Sequence, residues 1–106
     1  MIIGIPKETT DQELRVGITP SGVASLMQLG HRVLIEKSAG VGSGIPDTNY
    51  SDEGAEMVSN PNIIFSSSDL VVKIKELQAS EWSLLHPGLT TFSFLSLGSN
   101  PALAEA

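Results

Sequence analysis

The stretch Asp69-Leu70-Val71-Val72-Lys73-Ile74-Lys75-Glu76-Leu77 decides the fold. Consecutive apolar residues, two of them β-branched, open it as a buried parallel strand opens. Lys73 and Lys75, two of the six basic residues in the chain, then flank Ile74 and lead into Glu76. Side chains alternate along a strand, so Val71, Lys73 and Lys75 share one face and Val72 and Ile74 the other. An unpaired charge costs several kcal/mol to bury, which places both lysines where the strand runs out of the core. In an open parallel sheet that place is the carboxyl edge, where ligands bind. The same spacing also suits a lysine pair on a solvated edge strand, so the other residues at that edge must decide.

Upstream of this strand the chain reads as a βαβ unit. Ile2–Ile5 is a short apolar strand stopped by Pro6, which has no amide to donate. A long polar loop carries Lys7, Glu8, Asp11, Glu13 and Arg15. Thr19-Pro20 supplies a helix cap and a first-turn proline, Val23, Leu26, Met27 and Leu29 an apolar stripe, and Gly30 the stop. Arg32–Lys37 is the second strand, parallel to the first through a right-handed crossover. The glycine-rich segment 38–49 matches neither the dinucleotide fingerprint nor the phosphate loop with its lysine, so its glycines are expected to serve turns. A short helix at Tyr50–Gly54, a weak strand at Ala55–Val58 and a helical turn at Pro61–Ser66 lead back to the central strand.

Downstream, Ala79–Leu85 reads as a short helix closed by His86-Pro87-Gly88, and Leu89–Leu97 as the last strand. Asn100-Pro101 signals a further helix start, followed by only a few residues to Ala106. One helical turn is unstable alone, so the 106 residues are expected to be a single domain that is part of a larger protein. About five strands alternating with helices predict an α/β domain: an open, mostly parallel sheet flanked by helices, flavodoxin-like or Rossmann-like in three layers.

Composition narrows the partners. Twelve acidic residues against six basic ones, a formal charge of −6, argue against nucleic acid or an anionic membrane. The absence of cysteine excludes disulfides and thiolate metal sites. No signal peptide or membrane span is legible, and the expected location is the cytoplasm.

Three positions follow parallel strands at their carboxyl ends: Arg15 in the loop after the first, Lys75 closing the fourth and Ser96 near the end of the fifth. A planar guanidinium and a compact ammonium on one edge suit a small carboxylate with a second oxygen. Arg15 could instead pair with Glu13 or Asp11 on a solvated loop. His31 and His86 lie away from the carboxyl edge, so neither is expected to do acid–base work there.

Taken in order, GIPKE (4–8), the loop ending in Arg15-Val16, Thr19-Pro20, Gly30-His31, AGVGSG (39–44), Tyr50 with Gly54-Ala55-Glu56, and LVVKIKE (70–76) resemble the amino-terminal domain of alanine dehydrogenases. The same domain opens the α subunit of nicotinamide nucleotide transhydrogenases. The resemblance covers essentially the whole chain. It implies that Arg15 grips a substrate carboxylate, that Lys75 contacts a small oxo acid or amino acid, and that NAD binds a separate domain of the parent chain. It implies no cofactor contact within these residues, and it is compatible with a homo-oligomer.

Where such dehydrogenases carry a catalytic histidine, in a pattern like YLHLA, this chain reads Phe94-Leu95-Ser96-Leu97-Gly98. Serine does not titrate near neutrality and cannot replace an imidazole as acid or base. The expectation is the substrate-binding part of an alanine dehydrogenase-like oxidoreductase, inactive by itself. The alternatives are a transhydrogenase α-subunit domain, favoured by Asn100-Pro101, and a non-catalytic carboxylate-binding or dimerising module, favoured by Ser96.

Overall fold

The computed structural model describes residues 1–8, 16–75 and 84–95. The elements run β1 (Ile2–Ile5), α1 (Pro20–Gln28), β2 (Arg32–Glu36), a 3-10 turn (Val41–Ser43), α2 (Asp47–Asp52), β3 (Glu56–Val58), α3 (Pro61–Ser67), β4 (Leu70–Lys75) and β5 (Thr90–Leu95). All five strands pair in parallel, in the order β3-β2-β1-β4-β5. The open, parallel α/β sheet expected from the sequence is therefore the fold.

Local signals account for most boundaries. Thr19 Oγ1 accepts from the Gly22 amide at 3.2 Å, and Pro20 opens α1. Asn60 and Pro61 repeat the arrangement at α3, with Asn60 Oδ1 accepting from Asn62 N at 2.9 Å. α1 ends where Gly30 takes φ +88°, so that Gly30 N reaches Met27 O at 3.0 Å and His31 N reaches Leu26 O at 3.1 Å. The short helix after the glycine-rich segment starts earlier than expected, at Asp47, because Pro46 is extended and feeds straight into it. Of the helix expected over Ala79–Leu85, only Leu84 and Leu85 are described, and neither is helical. The helix start at Asn100-Pro101 lies outside the described residues.

The two sheet faces are covered unequally. Ile3, Ile5, Val33 and Ile35 pack with Val23 of α1 and Tyr50 of α2 into the main core. Removing each large side chain from water contributes roughly 1.5–3 kcal/mol. On the other face α3 covers Gly4 and brings Phe65 against Val71, with Leu84, Leu85 and Leu89 around them.

One expectation is corrected here. Lys73 is not at the point where β4 leaves the core; it is only 1% exposed. It shares its sheet face with Val71, and α3 and the segment before β5 cover that face. Its aliphatic stem suits such a setting, and the residue is not without a partner. Among the described residues, no helix is long and apolar enough to cross a membrane.

Candidate functional site

Strand order fixes where a ligand site can form. From β1 the chain moves outward to β2 and β3, then crosses back to β4 on the other side of β1. β1 and β4 are thus the neighbouring strands whose successors, β2 and β5, lie in opposite directions along the sheet, and open parallel sheets bind ligands beyond the carboxyl ends of such a pair.

The β1–β4 ladder stops short of that edge. β1 and β4 are in register at Ile3 with Leu70 and at Gly4 with Val71, whereas β4 and β5 stay paired as far as Lys75 with Leu95. Pro6, immediately after β1, has no amide to continue the ladder. Two carboxylates take over. Lys7 N donates to Glu36 Oε1 at 2.9 Å, tying the exit of β1 to the end of β2. Ile74 N donates to Glu8 Oε2 at 3.2 Å, tying the same exit to β4 one residue before Lys75.

The chain also comes back to β4. A Cβ on Gly17 would lie 2.8 Å from the carbonyl oxygen of Val72, so only glycine allows this approach without a shift. Val16 and Ile18, on either side, pack against the main core. Tyr50 holds the next residue, its buried hydroxyl donating to Ile18 O at 2.7 Å. Burial and, secondarily, the charge of Asp47 raise the Tyr50 pKa, so the phenol stays protonated as this contact requires.

Of the three expected site residues, the described residues include only Lys75. Lys75 is the last residue of β4, at the carboxyl edge. Arg15 lies outside the described residues, two positions before Gly17. Ser96 also lies outside them, one position after Leu95, the register partner of Lys75. The histidines are elsewhere. His86 Nε2 is 2.9 Å from Phe65 O and Nδ1 2.9 Å from Pro87 O, which marks it as structural. His31 follows Gly30 at the amino end of β2.

The glycine-rich segment serves geometry. Gly44 takes φ +79°, and a Cβ on Gly40 would meet Tyr50 Cε2 at 2.7 Å. Ser38, at φ +68°, is held by its amide on Asp47 Oδ1 at 2.9 Å.

Sequence reasoning passed over Glu8 and Gly17. Pro6 was the available signal: it offers the ladder no donor and ends it beside a continuing strand, whose backbone groups must then find partners elsewhere.

Comparison with known proteins agrees with this fold. Residues 4–106 match the family described as alanine dehydrogenase/PNT, N-terminal domain. The chain is 47% identical over 106 residues to an alanine dehydrogenase of Bilophila wadsworthia and 42% to that of Bacillus subtilis (strain 168). It is covered completely in both cases but spans only 28% of each relative. Among solved structures, an L-alanine dehydrogenase superposes over 99% of the chain with a TM-score of 0.91 and 40% identity, the match taking in 29% of that protein. A transhydrogenase from Sinorhizobium meliloti superposes over 90% with a TM-score of 0.82 and 30% identity, taking in 28% of that chain.

Proposed function

The chain belongs to the alanine dehydrogenase/PNT N-terminal domain family, and on that premise we propose that it is the substrate-binding part of an NAD-linked alanine dehydrogenase-like oxidoreductase. The observation that carries this reading is the pair of contacts at the carboxyl ends of β1 and β4, where Glu8 accepts from Ile74 N and Gly17 lies against Val72 O. Arg15, two residues from Gly17, takes the carboxylate of pyruvate or alanine in a fork. Lys75, one residue beyond Ile74, meets the oxo or amino group.

The nicotinamide cofactor does not fit these residues. A dinucleotide needs a glycine-rich turn between its first strand and helix. Here that turn opens Pro6-Lys7-Glu8, and the Glu8 carboxylate would repel a pyrophosphate. We assign NAD to a separate domain of the longer protein, and no step of the reaction is routed through it here.

Ser96 is the distinctive position. Its hydroxyl can orient a carbonyl but cannot offer a developing oxyanion the positive charge of an imidazolium. The higher identity to the alanine dehydrogenases favours that branch over the transhydrogenases.

The test is the full-length protein, assayed for alanine-dependent NAD reduction. Ser96→His is expected to raise kcat by about a hundred- to a thousandfold, the usual worth of one such group. Arg15→Lys, which loses the fork, should raise the KM for alanine. Unchanged KM values in both Arg15→Lys and Lys75→Ala would overturn the substrate-site reading.

A further inference from the structure

We propose that Glu8 is a positioning residue for this substrate site, its carboxylate standing in for the missing β1 ladder and setting where Lys75 begins. The inference rests on the substrate-site reading above and extends it to a residue that the reading does not use.

Three observations carry it. The β1–β4 register ends at Gly4 with Val71, although β4 continues for four more residues in register with β5. Beyond that point β4 has a ladder on one side only. On the other side Glu8 Oε2 accepts the Ile74 amide, a contact between residues 66 apart in sequence. Glu36 makes the matching contact on the far side of β1, accepting Lys7 N, so the exit of β1 is pinned from both sides. The segment that Glu8 opens returns at Gly17 against Val72, so both ends of the Arg15 loop rest on β4 within three residues of Lys75.

The physical consequence is specific. Without an acceptor at Ile74 N, the last residues of β4 keep their ladder to β5 but lose the hydrogen bond that ties them to the β1 side. A lysine rooted one residue later loses that tie with them, and misplacement by about 1 Å can cost on the order of a hundredfold in a positioned reaction. The bond needs an oxygen, not a charge. Glutamine keeps an acceptor on a side chain of the same length, whereas alanine removes it and aspartate falls one methylene short.

The experiment uses the full-length protein and measures the Kd of pyruvate with NADH present, beside the melting temperature. Glu8→Ala is expected to weaken pyruvate about tenfold or more, while Glu8→Gln stays within about twofold of the native value. In a Lys75→Ala background, Glu8→Ala should add nothing, because it acts through that lysine. If Glu8→Ala does not fold, Glu8→Asp against Glu8→Gln reads the same contrast.

A native Kd in Glu8→Ala, or equal losses in Glu8→Gln and Glu8→Ala, overturns the inference. So does a full Glu8→Ala effect in the Lys75→Ala background. A native Kd in Lys75→Ala overturns the substrate-site reading and this inference with it, whereas a weakened Lys75→Ala beside a native Glu8→Ala removes this inference alone.

Discussion

The two ends of the β1–β4 pair are built differently. At the amino end the strands are locked by backbone: Asp69 N donates to Ile2 O at 2.7 Å and Thr90 N to Asp69 O at 2.9 Å, so three strands are tied at one residue. The Asp69 side chain closes the arrangement by accepting from Ile2 N at 2.7 Å. α3 then sits directly over Gly4, too close for a Cβ. At the carboxyl end the ladder is gone, and side chains from separate elements reach backbone groups instead: Glu8 to Ile74, Glu36 to Lys7, Tyr50 to Ile18. The first end resists change by volume. The second is joined by single contacts among the described residues, at the edge where open parallel sheets bind ligands.

The largest effect on stability is expected at the closed end. In Gly4→Val a Cβ would overlap Ser68 Oγ and lie 2.9 Å from Ile64 Cγ2 and 3.1 Å from Ser68 Cβ. Ser68 cannot yield cheaply, because it is 2% exposed and its hydroxyl donates to Ile64 O at 2.5 Å. Overpacking of this kind costs about 3 kcal/mol, only partly offset by the better strand propensity of valine. Urea unfolding should show a lower midpoint at an unchanged slope. Whatever remains folded should bind pyruvate as the native protein does. If Gly4→Val weakens pyruvate as much as Glu8→Ala does, the two ends are not independent.

A smaller effect, with a pH signature, belongs to the open end. Tyr50→Phe keeps the ring in the core and removes only the hydroxyl that donates to Ile18 O. Losing that donor should cost about 1 kcal/mol. The Tyr50 pKa is raised above its ordinary value of 10.0, so the folded state holds the phenolic proton more tightly than the unfolded one. Its contribution is fully present below pH 10.0 and is lost as pH rises through the higher folded value. The native protein should therefore lose its advantage over Tyr50→Phe in alkaline melts. A constant difference across that range would show that the hydroxyl is not held as described.

The closed end was more legible in the sequence than the open one. Ile2–Ile5 and Leu70–Ile74 carry local signals, and each strand lies where those signals place it. Strand order carries no such signal, since it depends on which way each crossover turns. Lys73 misled for a related reason. A charge in a strand argues for an exit from the core, but whether a face is covered depends on α3 and on the segment before β5. Glu8 was visible as one acid in a polar loop, and its role depends on an amide 66 residues away. The assignment of Arg15 and Ser96 comes from family resemblance, and the described residues fix only the chain positions beside them.

The smallest effect should come from the most conspicuous ion pair. Arg32 and Glu56 meet at the amino ends of β2 and β3 in a two-pronged contact, Nε to Oε2 and Nη2 to Oε1, both 2.9 Å. The hydrogen bond from Arg32 lowers the Glu56 pKa below 4.5 against a weaker opposing effect of burial, with the attraction between the charges adding to it. A depressed carboxylate adds stability above its ordinary pKa and loses it as pH falls through the folded value, so any contribution should fade only in acid. Both side chains are about half exposed, at 59% and 49%, and water and salt screen such a pair. Arg32→Ala should shift the melting temperature less than Tyr50→Phe does, and concentrated salt should erase the difference. It should leave pyruvate binding untouched, because the pair lies at the opposite edge of the sheet from Lys75. A larger, salt-resistant loss would mean that the closed end depends on charge as well as on backbone and volume.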